Sequence, residues 1–469
     1  LVSAYADVSP NELFELYSDN SDDSGPTYGY YKLSEQECYH WQDTKEEYQD
    51  TPNSLWGGYY SAIAAANMAL NAIEEKGNPA SLDPQRGEAL VCRAYCHFML
   101  ANIFCNAYDT HASQSLGVPY MEEVETTVSP RYERGTLEEV YRKVERDLLE
   151  GIDLISDDSY SVPKYHFTRK AAYAFAARFY LYYMKPDFSN CDRVIDFATR
   201  VLGTNPADLL RNWEALGNLS VNGNVQADAY IASSNEANLL ISSTVSNWGA
   251  IGSDYLIGPR YFHNQTLATS ETCLSSGLWG SSDYFYLKPF STNGFVASIL
   301  RKSGLYEGTY LYYMPVLFST DETLLCRAEA YALKKMYAQS AADITSWQRA
   351  YTRNKSVLTP EQINTYYDRM SFYTPFTQQT PKKKLAPDFM IEEGMQENFI
   401  HCILHIRRIT TLHEGMRWPD IKRYGILIYR RDMANQRVTD EMPPNDLRYA
   451  IQIPRSVIVA GIQPNPRRN

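Results

Sequence analysis

The sequence predicts a mostly α-helical protein in which helical hairpins form a platform and an irregular, loop-rich subdomain with short strands lies on it. Three observations predict this. The first half repeats apolar residues at spacings of three and four, the period of one helix face. Capping residues and first-turn prolines stand where those stretches begin. Between about 204 and 318 the helical period fades, and Gly, Ser, Asn, Tyr and Trp dominate.

The elements follow in chain order. Trp56, Tyr59, Tyr60, Ile63, Asn67, Leu70 and Ile73 share one helix face, and the alanines between them let a neighbouring helix approach closely. Asn78-Pro79 ends that helix, and Asp83-Pro84 opens a second over roughly 84–106. Thr136 with Glu139 is a capping box for a helix over 137–155. Thr168 caps a helix over 169–184, and Ser189 one that reaches Leu202. Helical pattern returns over 321–337, again after the capping box Thr359-Pro360-Glu361-Gln362, and over 388–413. Hairpin spacing is irregular, with no strict 34-residue repeat. The expected organisation is 1–203 helical, 204–318 irregular and carrying the ligand face, and 319–469 helical and packing back on the platform.

The chain has 469 residues, ample for a large core without disulfide or metal staples. It carries 44 basic and 56 acidic residues, net −12, which argues against a nucleic-acid partner. Tyrosine is in excess, 38 against 17 Phe and 7 Trp, and suits a surface that meets a wet, polar ligand. The opening Leu1-Val2-Ser3-Ala4-Tyr5 lacks the basic flank and apolar core of a signal peptide. No apolar run approaches the roughly 18 residues of a membrane helix. The expectation is a soluble chain whose leader or lipid anchor was trimmed before residue 1. The eight cysteines form no C-x-x-C pair, and Cys92 and Cys96 read as small buried hydrophobes.

Catalytic signatures are sparse. The sequence contains no Walker loop, G-x-S-x-G, H-E-x-x-H or dinucleotide glycine fingerprint. His401 and His405 are spaced for a shared metal but have no third ligand nearby, so helix packing is the simpler role and no metal or cofactor is expected. Glu392-Glu393 and Asp157-Asp158 read as solvated faces or caps rather than a glycosidase pair. Lys382-Lys383-Lys384, between prolines, reads as an exposed loop. Arg407, Arg408, Arg417, Lys422 and Arg423 alternate with Glu414 and Asp420, which favours internal ion pairs.

The remaining signal is aromatic. Tyr39, Trp41 and Asp43 precede the first clear helix, and Trp248, Tyr255, Tyr261, Trp279, Tyr284, Phe285 and Tyr286 lie in the irregular region. Flat rings beside Asn, Asp, Arg and Ser suit a sugar, whose CH faces stack while its hydroxyls hydrogen-bond. The expected ligand contacts are Tyr39, Trp41, Asp43, Trp248, Tyr261, Trp279, Tyr284 and Tyr286. The competing reading makes many of these rings core filler. Tyr180, Tyr182 and Tyr183 read as core.

The order of segments resembles the SusD/RagB family, surface lipoproteins of Bacteroidetes. Trp56-x-x-x-Tyr60-x-x-Ile63-x-x-x-Asn67 looks like its first helix signature, and Glu88-Ala89-Leu90-Val91-Cys92-Arg93-Ala94-Tyr95 is similar to its second. Arg134-Gly135-Thr136-Leu137-Glu138-Glu139-Val140-Tyr141 with Asp147-Leu148 resembles a third, and Arg327-Ala328-Glu329-Ala330-Tyr331 a fourth. Arg407-Arg408 through Glu414-Gly415-Met416-Arg417-Trp418, Asp420 and Arg423 resembles a fifth, with Thr411 where the family usually has Glu. Ile453-Pro454 and Asn465-Pro466 echo its C-terminal ending.

The resemblance implies four tetratricopeptide-like hairpins, no enzymatic activity, and capture of glycans for a SusC-like TonB-dependent transporter. It also implies lipid anchoring to the extracellular face of the outer membrane. Some branches of the family bind peptides. Binding residues do not lie in the shared motifs, so the ligand contacts above rest on the aromatic argument alone. The remaining alternatives are a helical glycosidase, with two carboxylates facing across a cleft, or an intracellular repeat scaffold with a concave groove.

Overall fold

Three helix starts carry the cap the sequence offers, at Thr136, Thr168 and Thr359. Asp83 and Ser189 are instead themselves first helical residues, following Leu82 and the left-handed Phe188, with no side-chain cap bond. Thr136 Oγ1 accepts the Glu139 N–H at 3.2 Å while the Glu139 carboxylate accepts the Thr136 N–H at 2.8 Å. Thr359 and Gln362 close an equivalent box, and Thr168 Oγ1 accepts the Ala171 N–H. The computed structural model describes residues 2–26, 31–47, 49–127, 131–220, 225–248, 260–273, 277–287, 304–307 and 310–467.

Among these residues the chain forms α1 (Asn11–Tyr17), α2 (Leu33–Tyr39), α3 (Pro52–Glu74), α4 (Asp83–Phe104), α5 (Leu137–Leu154), α6 (Arg169–Tyr182), α7 (Ser189–Leu202), α8 (Trp213–Gly217), α9 (Val225–Ile231) and α10 (Gln265–Leu267). There follow α11 (Thr320–Leu333), α12 (Tyr337–Tyr351), α13 (Pro360–Arg369), α14 (Met395–Thr410), α15 (Arg417–Tyr424) and α16 (Arg455–Val459). Nine short strands join them: β1 (Asp22–Asp23), β2 (Asn238–Ile241), β3 (Thr244–Val245), β4 (Tyr261–Phe262), β5 (Gly304–Glu307), β6 (Tyr310–Tyr313), β7 (Val316–Ser319), β8 (Ile428–Asp432) and β9 (Arg437–Met442). They make a four-stranded sheet in the order β4-β1-β8-β9, the pair β2-β7 and the three-stranded β3-β6-β5. The fold is mostly helical with short strands, as the sequence predicts.

Antiparallel neighbours pack as hairpins: α3 on α4, α6 on α7, α11 on α12 and α13 on α14. Helix α5 lies along α4, and α11 packs against both α7 and α14. Close approach of α4 and α5 depends on two glycines. A Cβ on Gly87 would lie 2.7 Å from the Gly151 carbonyl oxygen. Bounds differ from expectation where the backbone turns. Lys335 takes a left-handed φ of 60°, so the helix read over 321–337 stops at Leu333 and α12 starts afresh. Gly394, at φ 89°, holds back the start of α14 to Met395.

The motif residues meet in space. The Arg93 guanidinium donates to Asp147 at 2.6 Å and to Asn67 Oδ1 at 3.0 Å, tying α3, α4 and α5 together. Arg134 donates to the Gly117 carbonyl at 2.6 Å and to Asn465 Oδ1 at 2.8 Å, which anchors the C-terminal stretch. Arg327 makes a two-pronged pair with Asp343 at 2.8 and 2.9 Å. Cys92, Cys96 and the other six cysteines are buried and unbridged.

A lattice of buried ions joins segments far apart in the chain. Asp19 receives Arg417 at 2.7 Å and Lys383 at 2.6 Å. Glu271 receives Lys383 at 2.9 Å and Arg408 at 3.1 Å, and Arg431 at 3.4 Å. Glu329 receives Arg407 and Arg423, each at 2.6 Å, and both also reach Asp420, at 3.1 and 3.0 Å. The basic cluster at 407–423 therefore forms internal ion pairs, with one exception. Lys422 Nζ donates to the Asn102 and Cys105 carbonyls at 2.8 and 2.7 Å, capping the C-terminus of α4.

The exposed-loop reading of Lys382-Lys383-Lys384 is corrected. Lys382 is buried and donates to the Tyr367 carbonyl at 2.7 Å, and Lys383 is the lattice cation above; Lys384 alone is exposed.

Burial by itself pushes the Glu271 carboxyl up, but Lys383, Arg431 and Arg408 outweigh it and hold it at about 2. The folded state then binds fewer protons than the unfolded chain between that value and 4.5. Its stability contribution is complete above the ordinary glutamate value and is lost as pH falls toward the folded one. Glu271→Gln is expected to cost ~3 kcal/mol at neutral pH and to flatten the acid side of the stability profile, read from urea midpoints across pH.

Candidate ligand-binding face

Helix α2 ends in three consecutive rings. Tyr39 is fully buried; its hydroxyl accepts the Asp23 N–H at 3.0 Å and donates to the Arg431 carbonyl at 3.3 Å, bridging β1 and β8. Burial pushes this phenol above its ordinary value, so it stays a neutral donor. Trp41 turns back at a left-handed φ of 53°, donates from Nε1 to the Tyr17 carbonyl at 2.9 Å, and carries the Arg430 guanidinium 4.0 Å from its ring.

Tyr261, on β4, stacks on Tyr39 with centroids 4.6 Å apart and planes 24° apart. Arg260 holds Asp23 with two hydrogen bonds, 2.7 and 2.8 Å. Its guanidinium lies 5.1 Å from both the Tyr31 and the Tyr261 rings, and Tyr31 meets Tyr261 edge-on at 5.7 Å. His40 meets Tyr39 edge-on at 5.1 Å; burial, then the Arg430 charge, lowers its pKa and favours the neutral imidazole. Tyr31 is 38% exposed and forms the outer layer of this stack.

Trp248 donates from Nε1 to the His413 carbonyl at 2.9 Å, and the His413 ring links it to Phe262, next to Tyr261. Asp43 is exposed and pairs with Arg467 at 2.9 Å. Trp279 is buried among Phe285, Trp347 and His405. Tyr284, 43% exposed, and Tyr286 lie on the same segment as Trp279, away from the Tyr39 stack. Tyr286 donates to Glu214 at 3.2 Å, with Arg353 and Lys355 over its ring. Tyr255 lies outside the described residues. The structure therefore gathers Tyr39, Trp41 and Tyr261 in one cluster and Trp279, Tyr284 and Tyr286 in another.

Beside the second cluster is an open hollow of about 700 Å³, bordered by Leu278, Ser356, Glu361, Tyr366 and Arg369. Tyr31, His40 and Arg260 are functional candidates that the sequence reading does not single out. Their signal is the run Tyr28-Gly29-Tyr30-Tyr31 and the Arg-Tyr pair at 260–261. The first cluster offers one exposed ring face, a guanidinium fixed by Asp23 and a neutral imidazole. That combination serves a neutral, hydroxyl-rich ligand. His405 is taken up by the Tyr367 hydroxyl at 2.9 Å and the Thr272 carbonyl at 2.8 Å, and His401 lies 3.7 Å from Glu397. Among the described residues no group of three or more His, Cys, Asp or Glu is arranged to hold a metal.

Residues 1–181 match a family model described as SusD-like, starch-binding and associating with the outer membrane. The match covers 181 of the 469 residues of this chain. The SusD-like fold extends over the whole of it. A SusD superfamily protein from Bacteroides thetaiotaomicron superposes with a TM-score of 0.62 at 18% identity, covering 99% of this chain and 97% of that one. A SusD superfamily protein from Bacteroides vulgatus gives 0.64 at 18% identity, covering 98% and 96%. A SusD-like carbohydrate binding protein from Bacteroides vulgatus gives 0.67 at 14% identity, covering 98% and 94%. No curated protein matches the sequence significantly.

Within this SusD-like fold the Tyr39 hydroxyl serves two backbone groups. Tyr39→Phe leaves the Asp23 N–H and the Arg431 carbonyl buried without it, and is expected to cost about 1–3 kcal/mol in chemical denaturation.

Proposed function

We propose that this protein captures glycans at the bacterial surface and passes them to a SusC-like TonB-dependent transporter, acting as a binding protein and not as an enzyme. Its seat is the extracellular face of the outer membrane, through a lipid anchor on residues outside this sequence. The family description and the carbohydrate-binding neighbour support the ligand class. The observation that carries the reading for this chain is the layered stack of Tyr31, Arg260, Tyr261 and Tyr39. A pyranose CH face covers the exposed Tyr31 ring, and its hydroxyls accept from Arg260 and exchange hydrogen bonds with His40. Asp23 fixes the guanidinium beforehand, so little side-chain entropy is lost on binding. The exposed Tyr284 ring offers a second aromatic contact for a longer chain.

Isothermal titration against plant and host polysaccharides tests this. One glycan is expected to bind, Tyr31→Ala to weaken it about tenfold, ~1.4 kcal/mol, and Arg260→Met to weaken it comparably. Undiminished binding by both variants would sink the Tyr31 face. Binding of peptides with no glycan bound would sink the sugar reading.

A further inference from the structure

A hollow of about 530 Å³ opens between the N-terminal segment, the first turns of α3, the turn before α6 and the end of β2. Tyr5, Asp7, Ser61, Tyr165, His166 and Ser243 line it, and it shares no residue with the Tyr31 stack. The N-terminal segment can lie against α3 because residue 58 is glycine. A Cβ there would come 2.5 Å from the Val8 side chain.

Its back wall is a built polar pair. Glu88 is buried beneath the hollow and accepts from the Tyr5 hydroxyl at 2.7 Å and from His166 Nδ1 at 2.7 Å. The Tyr5 oxygen in turn accepts the Phe167 N–H at 2.7 Å. Tyr160 covers one face of the imidazole, with centroids 4.6 Å apart and planes 10° apart. A carboxylate on Nδ1 fixes that nitrogen as the protonated one, so in the neutral ring Nε2 is a hydrogen-bond acceptor. Nε2 takes no hydrogen bond among the described residues, and the ring is one-quarter exposed at the hollow.

The rim matches one ligand chemistry. Serine hydroxyls both donate and accept, while the Asp7 carboxylate and Nε2 accept from O–H groups. Tyr165, 39% exposed, supplies a flat ring. No Lys or Arg lines the hollow, and the nearby Lys164 is turned away to the Asn238 carbonyl at 2.6 Å. An anion would meet the Asp7 carboxylate and, among the lining residues, no Lys or Arg. We propose that this hollow binds a single neutral sugar unit, a second site separate from the Tyr31 face.

The imidazole signal of His166, assigned by its loss in His166→Gln, reports on occupancy in ¹H–¹⁵N spectra of the full chain. The probes are the methyl glycosides of glucose, galactose, mannose and xylose. At least one is expected to move the His166 signal saturably, and Ser61→Trp or Ser243→Trp, both exposed positions, to weaken that response about tenfold or more. Tyr31→Ala leaves it unchanged. The inference is overturned if no glycoside moves the signal, if both tryptophan variants respond like the parent, or if Tyr31→Ala abolishes the response. Polysaccharide binding that still depends on Tyr31 while His166 stays silent removes this site and leaves the Tyr31 face standing.

Discussion

Burying a charge costs several kcal/mol, and one opposite charge rarely offsets it. Asp19, Glu271 and Glu329 offset that cost by each facing at least two cations at ion-pair distance. The cations are shared. Lys383 serves Asp19 and Glu271, and Arg407 serves Glu329 and Asp420. Withdrawing a shared cation such as Lys383 weakens the compensation of two buried acids at once. The segments that carry them are therefore ordered together or not at all.

The aromatic face hangs from this lattice by two adjacent residues. Successive side chains on a strand point to opposite sides. On β1, Asp22 turns inward to the buried Arg431, and Asp23 turns outward to Arg260, which lies against Tyr31 and Tyr261. Tyr39 closes the arrangement by bonding the backbone on both sides, at Asp23 and Arg431. A surface that would otherwise be a set of flexible loops is held in place by ion pairs a few ångströms beneath it.

Much of the helical platform is legible because its signals are local. Caps, prolines and a period of three to four lie within a few residues of the helices they specify, and α5 starts at the residue after its Thr136 cap. Helix α12 is not legible because the apolar pattern of α11 runs on past the turn at Lys335. Strand β8 escapes notice because Arg430 and Arg431 are both buried, which breaks the alternation expected of a half-buried strand, and β9 because almost all of it is exposed. Lys382 and Lys383 read as solvated because a charge run with no acid beside it looks solvated, while the Asp19 partner of Lys383 is 364 residues away. Composition likewise does not separate Trp279, walled in by other rings, from Tyr31, which faces out. Which face of a ring is covered is a tertiary property.

The separation of those partners has a kinetic meaning. Arg417 reaches back 398 residues to Asp19, and Arg430 reaches back 412 to 414 residues to the carbonyls of Leu16, Tyr17 and Ser18. Contacts this distant in sequence form late, since loop closure must precede any gain from them. During synthesis Asp19 has no counter-ion until Lys383 and Arg417 have left the ribosome. Hairpins such as α3–α4 can form as they emerge, but the lattice cannot. The nascent protein thus remains partly open until those late segments are made, and a chain in that condition is still able to pass through a narrow translocation channel.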